Sequence, residues 1–171
     1  AAALALSTAA NLDLSLEEIS TIARRGSSSA ARSVTGGFSI LRSSENDLEC
    51  KSYSIDDGFN DDLRIIVAIV PAHKETESAH VEATKSHMFQ ARIKHAESQI
   101  FKALDAIEIG DFDGIFSLAE LDSISLAATT MTGPKGWIYW KPETLSIFEN
   151  IRILREGGAD AYFSTDTGAT V

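Results

Sequence analysis

Apolar positions change their period along this chain, and the change divides it. From about Val81 onward Phe89, Ile93, Ala96, Ile100, Leu104 and Ile107 recur at steps of three and four residues. That spacing lines one face of an α-helix and predicts one long amphipathic helix, closed by Gly110. A second helix is expected over roughly 112–130, with Phe112, Phe116, Ala119, Ser123 and Leu126 on one stripe. A third spans roughly 142–156, entered through Pro142 and left through Gly157–Gly158. Before Val81 the pattern is mixed. Residues 1–10 (AAALALSTAA) read as a small-residue helix without a cap, and Ser15 with Glu18 forms a capping-box pattern ahead of LEEISTIARR. Gly26 is placed to end that helix in a left-handed conformation, and a short helix then starts within Ser27–Ser29 and breaks at Gly36–Gly37. FSILRS and the ECKSYSI region alternate like paired strands. LRIIVAIV reads as a buried strand ended by Pro71, and a strand at 160–165 returns to the turn formed by Asp166, Thr167 and Gly168.

Strands followed by runs of helices predict an α+β fold, an antiparallel sheet packed by amphipathic helices, and not alternating βαβ units. Both ends are abrupt: an uncapped helix opens the chain and a turn with no following element closes it. The expectation is therefore an internal part of a larger two-layer fold. Residues 1–70 would complete an N-terminal subdomain, and 71–171 would form a helical and sheet subdomain.

Composition changes the picture in two places. A net charge of −10 argues against a nucleic-acid surface, so any anionic ligand must be held locally. Arg24, Arg25 and Arg32 then stand out, three arginines within nine residues interleaved with glycine and serine. The apolar runs are too short for a transmembrane helix. Cys50 is a lone cysteine without metal-ligand neighbours and reads as a small apolar strand residue, which suits a reducing cytoplasm.

RRGSSSAARS supplies a glycine break, hydroxyls at a helix start and Arg32 one turn further on. Unpaired N–H groups and the helix dipole favour an anion there, and an arginine fork fixes its orientation. The same residues also serve as plain helix complements and caps. Asp166 reads first as ordinary turn chemistry, although a carboxylate at a strand end can also face a site. His73, His80 and His95 show no ligand spacing, and no metal site is expected. Trp137, Tyr139 and Trp140 are expected to pack against the third helix.

RRGSSSAARSVTGGF resembles the R-R-G-S-G-S-A-C-R-S-L-x-G-G-F block of the mevalonate diphosphate decarboxylase family, within the GHMP kinase-like superfamily. AYFSTDTGATV resembles its T-x-D-A-G-P-N-V block, in the same order, and LRIIVAIVPAHKE, KSHMFQARIKHAE and DFDGIFSLAELDS follow that order too. The resemblance implies a GHMP kinase-like fold and decarboxylation of a phosphorylated mevalonate (the 5-diphosphate, 5-phosphate or 3,5-bisphosphate) in isoprenoid biosynthesis. It implies Arg32 on the substrate carboxylate, Ser27 and Ser29 on the phosphates, and Asp166 as the catalytic acid/base residue. Lys74 and His87 stand where relatives carry cations near the substrate. ATP and Mg2+ are implied for the whole family, as are a cytoplasmic location and a homodimer.

Departures exist. The family's nucleotide loop lies ahead of the alanine-rich helix, where this chain begins. The D-S-N-x-F-H-A block is DSISLAA, with Ile124 and Leu126 for asparagine and histidine, and Ala169 and Thr170 replace proline and asparagine. These features look closer to the divergent archaeal branch, which includes phosphomevalonate and mevalonate 3,5-bisphosphate decarboxylases. A mevalonate-type kinase and a non-catalytic regulatory module are the alternatives.

Overall fold

The computed structural model describes residues 1–55, 63–72 and 81–171. They form two compact units, Ala1–Leu63 and Arg64–Val171.

In the first unit α1 (Ala2–Ala9) has no side-chain cap, whereas α2 (Leu16–Arg24) starts on the expected capping box. Ser15 Oγ accepts from the Glu18 N–H at 3.2 Å, and the Glu18 carboxylate accepts from the Ser15 N–H at 2.8 Å. Those bonds, the backbone one first, hold the Glu18 carboxyl below its ordinary range. Gly26 does not end the helix in a left-handed conformation: Arg25 stays right-handed at φ −63°, and the Gly26 N–H reaches the Ala23 carbonyl at 3.0 Å. Only a tight turn fits there, because α3 (Ser28–Thr35) begins two residues later. Positive φ falls instead at Gly36 and Gly37, 71° and 54°, where the chain leaves α3 for β1 (Phe38–Leu41). A side chain there would be strained, so glycine is required.

β1 pairs antiparallel with β2 (Ser52–Ile55), Phe38 opposite Ile55 and Leu41 opposite Ser52. The Ser52 N–H donates to Ser20 Oγ at 2.9 Å, with both residues wholly buried, and this ties the hairpin to α2. Removing that acceptor would leave a buried N–H unsatisfied, a cost of about 2 kcal/mol. Cys50 is buried but precedes β2; its thiol donates to the Ser44 carbonyl and accepts from the Ser44 N–H.

In the second unit, residues 64–72 do not form the expected buried strand. Ile65, Ile66 and Ile69 are 82%, 85% and 78% exposed, and only Val70 is buried. Ala68 exchanges backbone hydrogen bonds with Val171 at 2.8 and 3.1 Å, and no longer ladder forms among the described residues. An apolar run is expected to have strand neighbours on both sides, and among the described residues the final ones lie alongside it.

The long helix is also shorter than its period. Residues 81–83 are helical, but the chain then turns, and α4 runs from Phe89 to Glu108. Ser86 makes the break: its hydroxyl bonds with Thr132 at 2.7 Å and accepts the Met88 N–H at 3.1 Å. Gly110, φ 73°, closes α4 as expected. α5 (Phe112–Met131) is capped by Asp111 and packs on α4, with Arg92 forking onto Asp122 at 2.7 and 3.0 Å. Its buried residues are Ile115, Glu120, Ser123, Ala127, Thr129 and Thr130, rotated from the predicted stripe except at Ser123. Polar bonding turns that face inward: Glu120 meets Arg155, and Ser123 serves buried backbone.

α6 (Pro142–Glu156) has the predicted bounds. Residues 160–165 form no strand among the described residues. They are held by side chains, with Phe163 stacked on Phe148 of α6 at 3.9 Å. Among the described residues no helix is long and apolar enough to cross a membrane.

Candidate functional site

The serine and arginine segment is built by one helix. Ser27 is the N-cap of α3 in extended conformation, φ −167°, and its side chain does not cap. Its hydroxyl instead meets Ser29 Oγ at 2.8 Å, so both exposed hydroxyls sit at the helix start. The first turn of α3 carries no acidic residue. Arg32 lies three residues beyond Ser29 and four beyond Ser28, on the same exposed face, while Ala31 is fully buried on the other.

The neighbouring arginines are differently employed. Arg24 and Arg25 both bond to the Asp47 carboxylate, Arg25 at 2.9 Å. Hydrogen bonds from Arg25 and then Arg24 hold the Asp47 carboxyl below its ordinary range. Sequence reading expected these two arginines to complement the end of α2 and missed Asp47, because 22 and 23 residues separate the partners. Arg32 makes no ion pair among the described residues. Of the three clustered guanidiniums, it is the one without an ion-pair partner among the described residues.

Asp166 belongs to the second unit. Inward and outward positions alternate along the segment that carries it: Phe163, Thr165, Thr167 and Ala169 are buried, while Ser164 and Asp166 are exposed. The Asp166 carboxylate accepts from the Thr167 N–H at 2.7 Å, and the Asp166 carbonyl accepts from the Gly168 N–H at 2.8 Å. The Tyr139 phenol is pushed above its ordinary value, by burial and then by the negative charge of Asp166. Tyr139 Oη, Trp137 Nε1 and Thr167 Oγ1 are buried without a hydrogen-bond partner among the described residues.

Trp140 packs on α6 through Phe148 at 5.0 Å, as expected, while Trp137 and Tyr139 stack on each other at 6.1 Å. His87 is exposed in the turn before α4, and no hydrogen bond joins it to Asp166 among the described residues. Lys74, like His73 and His80, lies outside the described residues. The structure thus brings Ser27, Ser29 and Arg32 together on one unit and presents Asp166 on the other. Among the described residues no three histidine, cysteine or acidic side chains cluster to hold a metal ion.

The family model for the diphosphomevalonate decarboxylase-like N-terminal domain matches residues 1–54. Phosphomevalonate decarboxylase of Haloferax volcanii is 60% identical over 172 residues, covering 100% of this chain and 53% of that protein. Among solved structures, mevalonate diphosphate decarboxylase from Staphylococcus aureus superposes with a TM-score of 0.90 at 25% identity, covering 96% of this chain and 51% of that one. The Enterococcus faecalis enzyme, whose structure describes ATP binding mediated by mevalonate diphosphate, gives a TM-score of 0.89 at 25% identity, covering 96% and 51%. The chain spans about half the length of the relatives it matches.

Proposed function

The chain belongs to the diphosphomevalonate decarboxylase-like family, and from that premise we propose that the whole protein decarboxylates a phosphorylated mevalonate, mevalonate 5-phosphate first among them. The observation that carries this reading is 60% identity along the entire chain to a phosphomevalonate decarboxylase. Arg32, which makes no ion pair among the described residues and lies on the helix that starts at the Ser27 and Ser29 hydroxyls, supports it.

In this reading Arg32 forks onto the C1 carboxylate and fixes its orientation, and Ser27 and Ser29 donate to phosphate oxygens. His87 and Lys74 would line the phosphate end of the substrate. Asp166 would face C3, where it either takes the proton of the tertiary hydroxyl or, as a carboxylate, stabilises the positive charge that develops as the C3–O bond breaks. The departing oxygen leaves with the C3–O electron pair. The C1–C2 pair then forms the C2=C3 double bond, and C1 departs as CO2, leaving an isopentenyl phosphate.

ATP would supply the phosphoryl group that makes the C3 oxygen a leaving group, a role supported by ATP binding in the Enterococcus faecalis relative. Mg2+ would accompany the nucleotide phosphates. A cytoplasmic homodimer completes the proposal.

The test incubates the full protein with mevalonate 5-phosphate, its 5-diphosphate and the 3,5-bisphosphate, each with and without ATP. CO2 from the 5-phosphate only with ATP is expected. ADP without CO2 would replace the proposal with a kinase, and no product from any substrate would overturn it.

A further inference from the structure

Asp166 sits in a turn that no strand ladder holds: among the described residues, positions 160–167 pair with no neighbouring strand. Two buried hydroxyls take that place. Ser123, on α5 and 5% exposed, accepts the Thr165 N–H at 3.1 Å and meets Ser164 Oγ at 3.3 Å. Thr144, in the first turn of α6 and 0% exposed, donates to the Ala169 carbonyl at 2.7 Å and accepts the Lys141 N–H at 3.2 Å. Burying a hydroxyl is unfavourable unless its bonds are made, and both of these are spent on backbone. Thr144 uses donor and acceptor together, which fixes its rotor. The bonded residues, Thr165 and Ala169, flank Asp166 on either side, and within the turn the Thr167 N–H orients the carboxylate at 2.7 Å.

We infer that Ser123 and Thr144 are positioning residues for Asp166, pinning its turn to α5 and α6 from both ends. This rests on the proposal that Asp166 is the reacting carboxylate. Phe163, Thr165, Thr167 and Ala169 form the inward side of the segment, so a shift at either pin moves the outward Asp166. A displacement of about 1 Å at a reacting group costs roughly 100-fold in rate without demanding any loss of substrate binding.

The experiment uses the full protein and the variants Thr144→Val, Thr144→Ser and Ser123→Ala. It measures CO2 release from mevalonate 5-phosphate, with kcat normalised to the substrate sites titrated by calorimetry. Thr144→Val keeps the shape and loses the hydroxyl; its kcat is expected to fall about 100-fold with KM little changed. Thr144→Ser restores the hydroxyl and is expected to recover most of that loss. Ser123→Ala is expected to lower kcat by at least about 10-fold, and it decides the matter if Thr144→Val does not fold.

Unchanged kcat in the hydroxyl-less variants would overturn the inference. So would a loss that Thr144→Ser fails to recover, or one matched by an equal rise in KM. Asp166→Asn in the same assay separates the two levels. If that variant turns over normally, the role of Asp166 itself is wrong. If it is inactive while Ser123→Ala and Thr144→Val keep full kcat, only the positioning role falls.

Discussion

The two units hold their candidate groups by opposite means. In Ala1–Leu63 one short helix, α3, carries Ser29 and Arg32 on one face with Ser27 at its cap, so neighbours in sequence become neighbours in space. In Arg64–Val171, Asp166 is placed by hydroxyls 42 and 25 residues from the backbone groups they hold. The first arrangement suits recognition of an anion, which needs charge, unpaired N–H groups and modest precision. The second suits a group that acts on a bond, where small errors of position are expensive. Under the proposed function, substrate holding and chemistry would fall to different units.

The sharpest break in that division comes from Asp166→Asn, which keeps the size of the side chain and removes its charge. Turnover is expected to fall at least about 1,000-fold, within the range for loss of a general acid/base. Calorimetric affinity for mevalonate 5-phosphate should stay close to that of the unmodified protein. Equal losses in affinity and turnover would erase the distinction between the units.

Arg32→Lys tests the other side. It keeps the charge and loses the fork, for an expected cost of about 2 kcal/mol, or roughly 30-fold in kcat/KM. Steady-state CO2 release checks it, and a weaker affinity should accompany the loss. An unchanged kcat/KM would make Arg32 a surface residue.

Legibility follows the same line as function. The capping box at Ser15 and Glu18, the break at Gly36–Gly37 and the bounds of α6 at Pro142 and Glu156 are set by residues within one turn of each other. A single sequence displays such signals directly. The bonds of Asp47 to Arg24 and Arg25, and of Ser123 to Thr165, join distant positions, and nothing in the local pattern announces them.

Apolar period misled in three places because it reports burial and not its partner. Residues 65–70 have the composition of a buried strand while Ile65, Ile66 and Ile69 stay exposed. Residues 160–165 are held by side chains, with no ladder among the described residues. The helical period through Val81 gives way where the Ser86 hydroxyl takes over the Met88 N–H. The candidate residues Ser27, Ser29, Arg32 and Asp166 stand out in the sequence, but the neutralisation of Arg24 and Arg25 by Asp47 does not, and it leaves Arg32 without an ion pair among the described residues.

The smallest expected effect probes that isolation. Asp47 is held below its ordinary pKa of 3.8 by Arg25 and Arg24. A lowered carboxyl contributes stability that is present above the unfolded value and is lost as pH falls through the folded one. The pair should therefore persist through neutral pH and weaken only in acid below 3.8. NMR titration of the Asp47 carboxyl is expected to show a depressed midpoint that moves up toward 3.8 in Arg25→Gln. A midpoint that does not move would mean that Arg25 is not engaged by Asp47.

The central claim is that carbon leaves the substrate, and isotope counting addresses it most directly. The full protein would be given mevalonate 5-phosphate labelled at C1, with ATP, and the volatile label compared with the inorganic phosphate released. The account predicts labelled CO2 and phosphate in equal amounts. ADP formation with all of the label retained in the substrate would contradict it.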